Sequence, residues 1–290
     1  MRLASFRTTN GPRLGIVTTE SGGDVVRDVT EALSAVGVAR MEEAVDLDGP
    51  ALGVLSGLLD SDLGSMPGMP VPAVTLLPPV TAPGQMLFVR SNYPAPDGSV
   101  PQLKRPAFFS KVPSSLIGHR GTVLLPDASN QVDWEAELAF VIGRPASHVP
   151  EADVFDYVAG YTINNDITAR DLQAEGEAAL AKNFRTFSPL GPWLVTADEI
   201  TDPGRLGIKQ WVNDELYQDG NTADMLYGIP EIIAYLTTVT DLRPGDVIAT
   251  GSPSGLGRQQ DPPVYLQGGD TMTIEVEGIG KLINDVVRGS

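Results

Sequence analysis

Glu135 and Glu137 stand two residues apart in an otherwise apolar run, Trp134-Glu135-Ala136-Glu137-Leu138-Ala139-Phe140-Val141-Ile142-Gly143. In an extended chain alternate side chains share a face. The two carboxylates therefore point one way, while Trp134, Ala136, Leu138, Phe140 and Ile142 point toward a core. Two like charges about 6–7 Å apart, at an effective dielectric near ~20, repel by roughly 2–3 kcal/mol before desolvation is counted. A cation between them removes that penalty, so the pair points to a divalent ion held by hard oxygen ligands. The same Glu-x-Glu pattern is also that of a solvated sheet face, and the surrounding sequence has to decide.

A second acidic cluster follows in Asn164-Asn165-Asp166-Ile167-Thr168-Ala169-Arg170-Asp171-Leu172-Gln173. It closes an apolar strand and opens a helical stretch. If one helical turn follows, Arg170 and Gln173 stack on the face of Asp166 and bring an acid, a cation and an amide to one place. The plainer alternative makes Asp166 an N-cap and Arg170 its surface partner. Lys182 lies in a stretch whose only other nearby charge is Arg185, where a lysine either snorkels to water or pairs with a buried acid. The run Ala249-Thr250-Gly251-Ser252-Pro253-Ser254-Gly255-Leu256-Gly257 offers small residues whose backbone N–H groups can approach an anion.

Composition narrows the chemistry. The chain has 290 residues and a net charge of −17, so nucleic acid and anionic lipid are disfavoured as partners. An anionic substrate would need local positive charge. There is no cysteine, which excludes disulfides, thiolate metal sites and cysteine nucleophiles, and the two histidines, His119 and His148, are too few for a multi-histidine zinc site. Oxygen ligands suit Mg²⁺, Mn²⁺ or Ca²⁺. No apolar run approaches the ~18–20 residues of a membrane span, and the start of the chain reads as a strand, so a cytoplasmic protein is expected.

The elements that must position these groups are mostly short strands. Residues Arg2 to about Thr18 alternate like a strand, with Val25 to Val29 returning as the partner in a hairpin, and helical patterning runs from Glu31 to Leu55. The Pro- and Gly-rich stretch from Ser61 to Pro83 reads as a linker, which places a small N-terminal α+β domain over 1–75 and a catalytic domain over 76–290. Strands are expected at Met86–Val89, Thr122–Leu125, the Glu-x-Glu run, Val158–Ile163, Trp193–Val195, Ile208–Val212, Val247–Thr250 and Met272–Val276, with a helix at Ile229–Thr238 whose Pro230 lies in the first turn. The fold class is mixed α+β and β-rich, not a doubly wound parallel sheet.

The order of these motifs resembles the fumarylacetoacetate hydrolase family. The sequence runs from the Glu-x-Glu strand to Gly-Tyr-Thr-x-x-Asn-Asp-x-Thr-Ala-Arg-Asp-x-Gln, then Lys182-Asn183-Phe184 and Ser188-Pro189-Leu190-Gly191-Pro192-Trp193. Trp211 to Glu215, Leu242 to Ile248 and the Thr-Gly-Ser-Pro-Ser-Gly loop complete it. The resemblance covers about Thr81 to the C-terminus. It implies a β-roll or β-sandwich catalytic domain, a homodimer, and Mg²⁺ or a similar ion held by Glu135, Glu137 and Asp166. It also implies a small 2-oxo or 2,4-dioxo carboxylate substrate reacting through an enolate. Arg170, Gln173 and Lys182 would contact substrate or the developing oxyanion. Asn92, Tyr93, Lys111 and Ser252 would stand at substrate-binding positions, Ser252 replacing the usual threonine of the Gly-Thr-Pro loop.

One part of the family pattern is missing. Many of its hydrolases carry a His-x-x-Glu pair just after Asn-Tyr, where it activates water. Here Asn92-Tyr93 is followed by Pro94-Ala95-Pro96-Asp97-Gly98-Ser99-Val100-Pro101. Asp97 and His119 are the substitutes to consider. Carbon–carbon cleavage of an acylpyruvate-type substrate is placed first on family grounds. Tautomerisation, isomerisation or decarboxylation of an oxo acid is the alternative that the missing base favours. A catalytically silent oxo-acid-binding homologue and a carbohydrate-binding β-protein are the non-enzymatic readings.

Overall fold

Three strands at the N-terminus, Arg2–Thr8, Gly11–Glu20 and Gly23–Asp28, pair antiparallel in sequence order. The expected single long strand is broken because Asn10-Gly11 forms a tight turn; Gly11 adopts a φ of 108°, a conformation open to glycine. The helical region is likewise three short helices, Thr30–Ser34, Met41–Ala44 and Ala51–Asp60, interrupted where Gly37 and Gly49-Pro50 cannot continue a turn. The structure, a computed structural model, describes residues 1–61 and 63–289.

The Pro-rich stretch after these helices is threaded into the sheet. Gly68–Pro70 pairs with Gly23–Asp28, and Thr75–Leu76 pairs with Arg2–Thr8. The first strand also bonds to Ser188–Thr196, matching Arg2 with Val195 and Leu3 with Leu194. One twelve-stranded sheet therefore runs from the N-terminal strands through Ser188–Thr196, Val158–Asn165, Ala136–Ile142, Val247–Ala249 and Met86–Arg90 to its edge at Ala107–Ser110. A five-stranded sheet, built from Glu215–Asn221, Gly207–Val212, Thr271–Val276, Gly280–Arg288 and Val123–Leu125, packs against it. The molecule is a mixed α+β, sheet-rich fold.

The strand Ala136–Ile142 lies at the centre of this arrangement and is buried along its whole length. Its two faces meet two cores: Ala136, Leu138, Phe140 and Ile142 pack with Tyr161, Ile232, Ile233 and Ile274, while Ala139 and Val141 pack with Phe88, Leu190 and Val247. A third cluster around Trp134, Ile167, Ala181 and Phe187 lies beneath the acidic residues. Burying side chains of this size contributes about 1.5–3 kcal/mol each, enough in sum to hold the acids at one end of the strand against their repulsion. The helix Ile229–Val239, with Pro230 in its first turn, covers the outer face through Ile229, Ile232, Ile233 and Leu236.

Candidate metal and substrate site

Antiparallel pairing brings the two acidic stretches together. Ala136 is opposite Asn165 and Glu137 opposite Asn164, so the residues just beyond the ladder, Glu135 and Asp166, come side by side. Backbone bonds fix the junction: Asp166 N donates to Glu135 O at 2.9 Å, and Glu135 N donates to the Asn165 side-chain oxygen at 3.0 Å. Glu135 thus precedes the strand and does not lie within it. Asp166 opens no helix either. The chain continues extended through Thr168–Ala169, which pairs with Val132–Asp133, and turns helical only over Arg170–Ala174. Arg170 still reaches the acids, from a helix start and not from a shared helical face.

Carboxylate oxygens of Glu135, Glu137 and Asp166 lie within 4.8 Å of one another. Oxygens coordinating one ion at about 2.0–2.6 Å stand no more than roughly 4–5 Å apart, so the spacing fits a divalent ion. A second observation points the same way. Glu137 is 2% exposed, and its Oε2 has no hydrogen-bond partner among the described residues. A buried, unpaired carboxylate oxygen carries a large desolvation penalty, and a cation at this point relieves it.

Electrostatics divide the three acids. Burial, and then the charges of Asp166 and Glu135, push the Glu137 carboxyl well above its usual range. Burial also raises Asp166, although Lys111 and Lys182 oppose it. For Glu135 burial acts in the same upward direction but is outweighed by Arg170 and Lys182, which hold it below the carboxylate range. Lys182 Nζ donates to Glu135 Oε2 at 3.0 Å, to Asp166 Oδ2 and to Thr168 Oγ1 at 2.8 Å. Its ammonium is desolvated, yet Asp166 and Glu135 raise its proton affinity. In effect Lys182 supplies the positive charge the acids require.

Other expected site residues take different places. Arg170 Nη2 donates to Glu135 Oε1 at 2.6 Å and Nη1 to Gln173 Oε1 at 3.1 Å, and Gln173 itself lines the cavity over the acids. Ser252 lies on the cavity wall and accepts from Gln218 Nε2 at 2.9 Å. Lys111 lies behind Asp166. Its Nζ is buried and donates to Asp166 Oδ1 and to Phe187 O, each at 2.7 Å. Asn92 is buried and ties two loops together: its amide donates to Thr250 O and Tyr227 O and accepts from Tyr227 N. Tyr93 is buried beside Glu137, and burial and then the charge of Glu137 hold its hydroxyl in the protonated form. None of Lys111, Asn92 and Tyr93 lines the cavity above the acids.

Asp133 belongs to the same network and is hidden by the Glu-x-Glu pattern. Fully buried, it accepts from Arg170 Nε at 2.8 Å, from Gly257 N at 2.8 Å and from Arg258 N at 3.3 Å. Period-two alternation places residue 133 with 135 and 137, which is the signal that could have found it. Gly257 is required there: a Cβ would stand 2.1 Å from Val264 O and 2.8 Å from Asp133 Oδ1. Gly251, at a φ of 90°, performs a matching task beside Glu137, to which its N–H is directed.

The cavity over these groups has a volume of about 800 Å³ and is walled by Val89 to Ser91, Phe108 to Ser110, Ser252 and Leu256. Lys182 sits 4.6 Å from the Phe109 ring centre, and Phe109 stacks on Phe88. Neither histidine is present. His119 Nδ1 accepts from Ile283 N in a different part of the molecule, and burial together with Arg120 pushes its pKa down to about 4. His148 is exposed next to Ser147. Asp97 is exposed, and bonds from Ser99 hold its carboxyl below the usual range.

Comparison with known proteins places this geometry. Residues 87–287 match the profile of the family described as fumarylacetoacetate (FAA) hydrolase C-terminal. The human protein named oxaloacetate tautomerase FAHD2A, mitochondrial, is 39% identical over 294 residues, spanning 99% of this chain and 92% of that protein. A maleylpyruvate hydrolase from Sphingobium sp. SYK-6, solved in complex with manganese(II) and pyruvate, superimposes with a TM-score of 0.83 at 33% identity, over 100% of both chains. A 5-carboxymethyl-2-hydroxymuconate delta-isomerase from Mycobacterium smegmatis does so with a TM-score of 0.79 at 31% identity, again over 100% of both chains. Among the described residues no helix is long and apolar enough to cross a membrane. With so much of its length shared with relatives that are themselves enzymes, this chain is an enzyme of the fumarylacetoacetate hydrolase family.

Proposed function

We propose that the enzyme is a metal-dependent tautomerase of a small 2-oxo acid, moving a proton between an enol oxygen and the adjacent carbon. Glu135, Glu137 and Asp166 would hold the ion, Mg²⁺ or Mn²⁺, since the acids fit it in spacing and in the unpaired Glu137 oxygen. Bound there, such an ion supplies Lewis acidity to the oxo and carboxylate oxygens of a chelating substrate. Arg170, fixed by Asp133 and Glu135, keeps Glu135 ionised and oriented. Lys182 lines the cavity and sits against two carboxylates and a hydroxyl, so it is placed to donate a proton to the substrate and recover one through Asp166 or Thr168. Phe88, Phe109 and Leu256 keep the surroundings apolar, which strengthens each of these charge interactions.

One observation carries the preference for tautomerisation over cleavage. Among the described residues lining the cavity, the only carboxylates are Glu135, Glu137 and Asp166, and no imidazole is present. Hydrolysis needs an activated water, and losing a general base slows such a step by about 10²–10⁴-fold. Tautomerisation needs no water. The likeness to the human oxaloacetate tautomerase supports the same order. Cleavage of an acylpyruvate-type substrate stays as the second reading, supported by the likeness to the maleylpyruvate hydrolase that binds manganese(II) and pyruvate. A homodimer in the cytoplasm completes the proposal.

The test is to load the protein with Mg²⁺ or Mn²⁺ and follow the enol absorbance of oxaloacetate while assaying pyruvate and CO₂. Accelerated loss of enol without either product is the expected result. Pyruvate released from an acylpyruvate at a comparable or higher rate would replace tautomerisation by cleavage, and CO₂ would replace it by decarboxylation.

A further inference from the structure

Arg90 and Arg258 stand on the wall of the cavity that contains the acids, and neither guanidinium has a hydrogen-bond or ion-pair partner among the described residues. Arg7, Arg120, Arg185 and Arg243 also have no such partner, but none of them lines this cavity. Arg170, Lys111 and Lys182, by contrast, are each held by at least one carboxylate.

Both unpaired arginines are anchored close to the chemistry. The Arg258 backbone N–H donates to Asp133 Oδ2, the same oxygen that accepts from Arg170 Nε, so one buried carboxylate locates both residues. Arg90 ends the strand Met86–Arg90 two residues after Phe88, on the face from which Phe88 stacks on Phe109 beneath Lys182. Both residues are exposed.

Charge decides what they are for. Fully ionised, as metal binding requires, Asp133, Glu135, Glu137 and Asp166 carry four negative charges against three positive ones on Lys111, Arg170 and Lys182. A divalent ion leaves an excess of one positive charge, which the chelating carboxylate of a 2-oxo acid cancels. The charges of Arg90 and Arg258, exposed on the cavity wall, then lie beyond that balance. The geometry points to a second anionic subsite: Arg258, with Arg90, binds the distal carboxylate of a dicarboxylic oxo acid. This deepens the tautomerase reading, on which it rests for the orientation of the substrate, by assigning the contact with the distal carboxylate to two residues of this chain. A guanidinium presents a fork that pairs with a carboxylate through two hydrogen bonds, which lysine cannot reproduce.

The test uses two unreactive 2-hydroxy acids that differ only at the distal end, malate and 2-hydroxybutyrate, titrated calorimetrically into the Mn²⁺-loaded protein. Malate is expected to bind at least about tenfold more tightly, and Arg258→Met to bring the malate to 2-hydroxybutyrate affinity ratio toward one. Arg258→Lys should retain an intermediate ratio, and Arg90→Met should lower it less than Arg258→Met. Equal affinities in the unaltered protein, or a parallel loss of both ligands in Arg258→Met, would overturn the subsite. Neither acid can tautomerise, so a failed tautomerase assay leaves this ratio intact and the two ideas fall separately.

Discussion

The floor of the cavity and the loop that leaves its wall at Ser91 are built in opposite ways. On the floor, Glu135, Asp166, Lys111, Lys182, Arg170 and Asp133 are almost entirely buried and tied to one another, with the Glu137 oxygen left unpaired. The loop, which joins Met86–Arg90 to Ala107–Ser110, is exposed over most of residues 96–105 and held by few bonds, such as Ala95 N to Ser99 O and Tyr227 Oη to Leu103 O. Exposed loops of this kind vary and move more readily than buried networks. A rigid floor sets which bond can be polarised. Residues 92–107 line no part of that cavity, so the loop brings no water-activating group to it.

The largest effect expected is at Asp166, which neutralises two ammonium groups. Asp166→Ala should lower stability by about 3–5 kcal/mol in urea unfolding, since it leaves buried charge uncompensated, and should abolish turnover. Wild-type stability in that variant would break the picture of a mutually dependent floor. Next comes Lys182. Lys182→Met should reduce turnover by about 10²–10⁴-fold while Mn²⁺ affinity stays level or rises, because the competing ammonium is gone. A fall in affinity matching the fall in turnover would make Lys182 structural.

Glu137→Gln separates metal binding from folding. It should weaken Mn²⁺ binding by about tenfold or more, roughly 1.4 kcal/mol, and leave the metal-free protein as stable as before or more so. The pH dependence follows from the same residue. Glu137 binds its proton more tightly in the folded protein than in the unfolded chain. Its contribution to metal-free stability is therefore complete below the ordinary value of 4.5 and is lost as pH rises toward the higher folded value. Glu135 acts in the reverse sense: it stabilises above 4.5, and that stability is lost as pH falls toward its lowered folded value. Mn²⁺ binding should release protons from Glu137 and grow stronger as pH rises. Calorimetry in buffers of different ionisation heat would show it, and absence of proton release would contradict a protonated Glu137.

The smallest effect belongs to this loop. Asp97→Ala should change stability by no more than about 0.5 kcal/mol and turnover by no more than about twofold. A much larger loss of turnover would make Asp97 the missing base and revive hydrolysis.

Several site features were legible because they are local. The same-face glutamates, the apolar strand behind them and Asp166 at the end of its partner strand all follow from period-two alternation and strand ends. Helix Ile229–Val239 was legible from its spacing and Pro230. The three short helices before Asp60 and the pairing of the Pro-rich stretch with the N-terminal strands were not, because short elements take their conformation from tertiary contacts. Asp133 was hidden for a related reason: an acid beside a Trp looks like any surface residue until Arg170 and Gly257 are seen to converge on it.

By itself, then, the amino-acid order determined a sheet-rich chain with an oxygen-donor cluster and no thiol or multi-histidine chemistry, because residue type and spacing along a strand dictate which groups share a face. Tertiary structure alone decided that Lys111 stands behind Asp166 while Lys182 faces the cavity, that Asn92 and Tyr93 are buried away from it, and that Arg90 and Arg258 face it unpaired. Those assignments depend on which strands become neighbours. That choice is made by burial of the apolar faces over the whole molecule, which no single stretch of sequence contains.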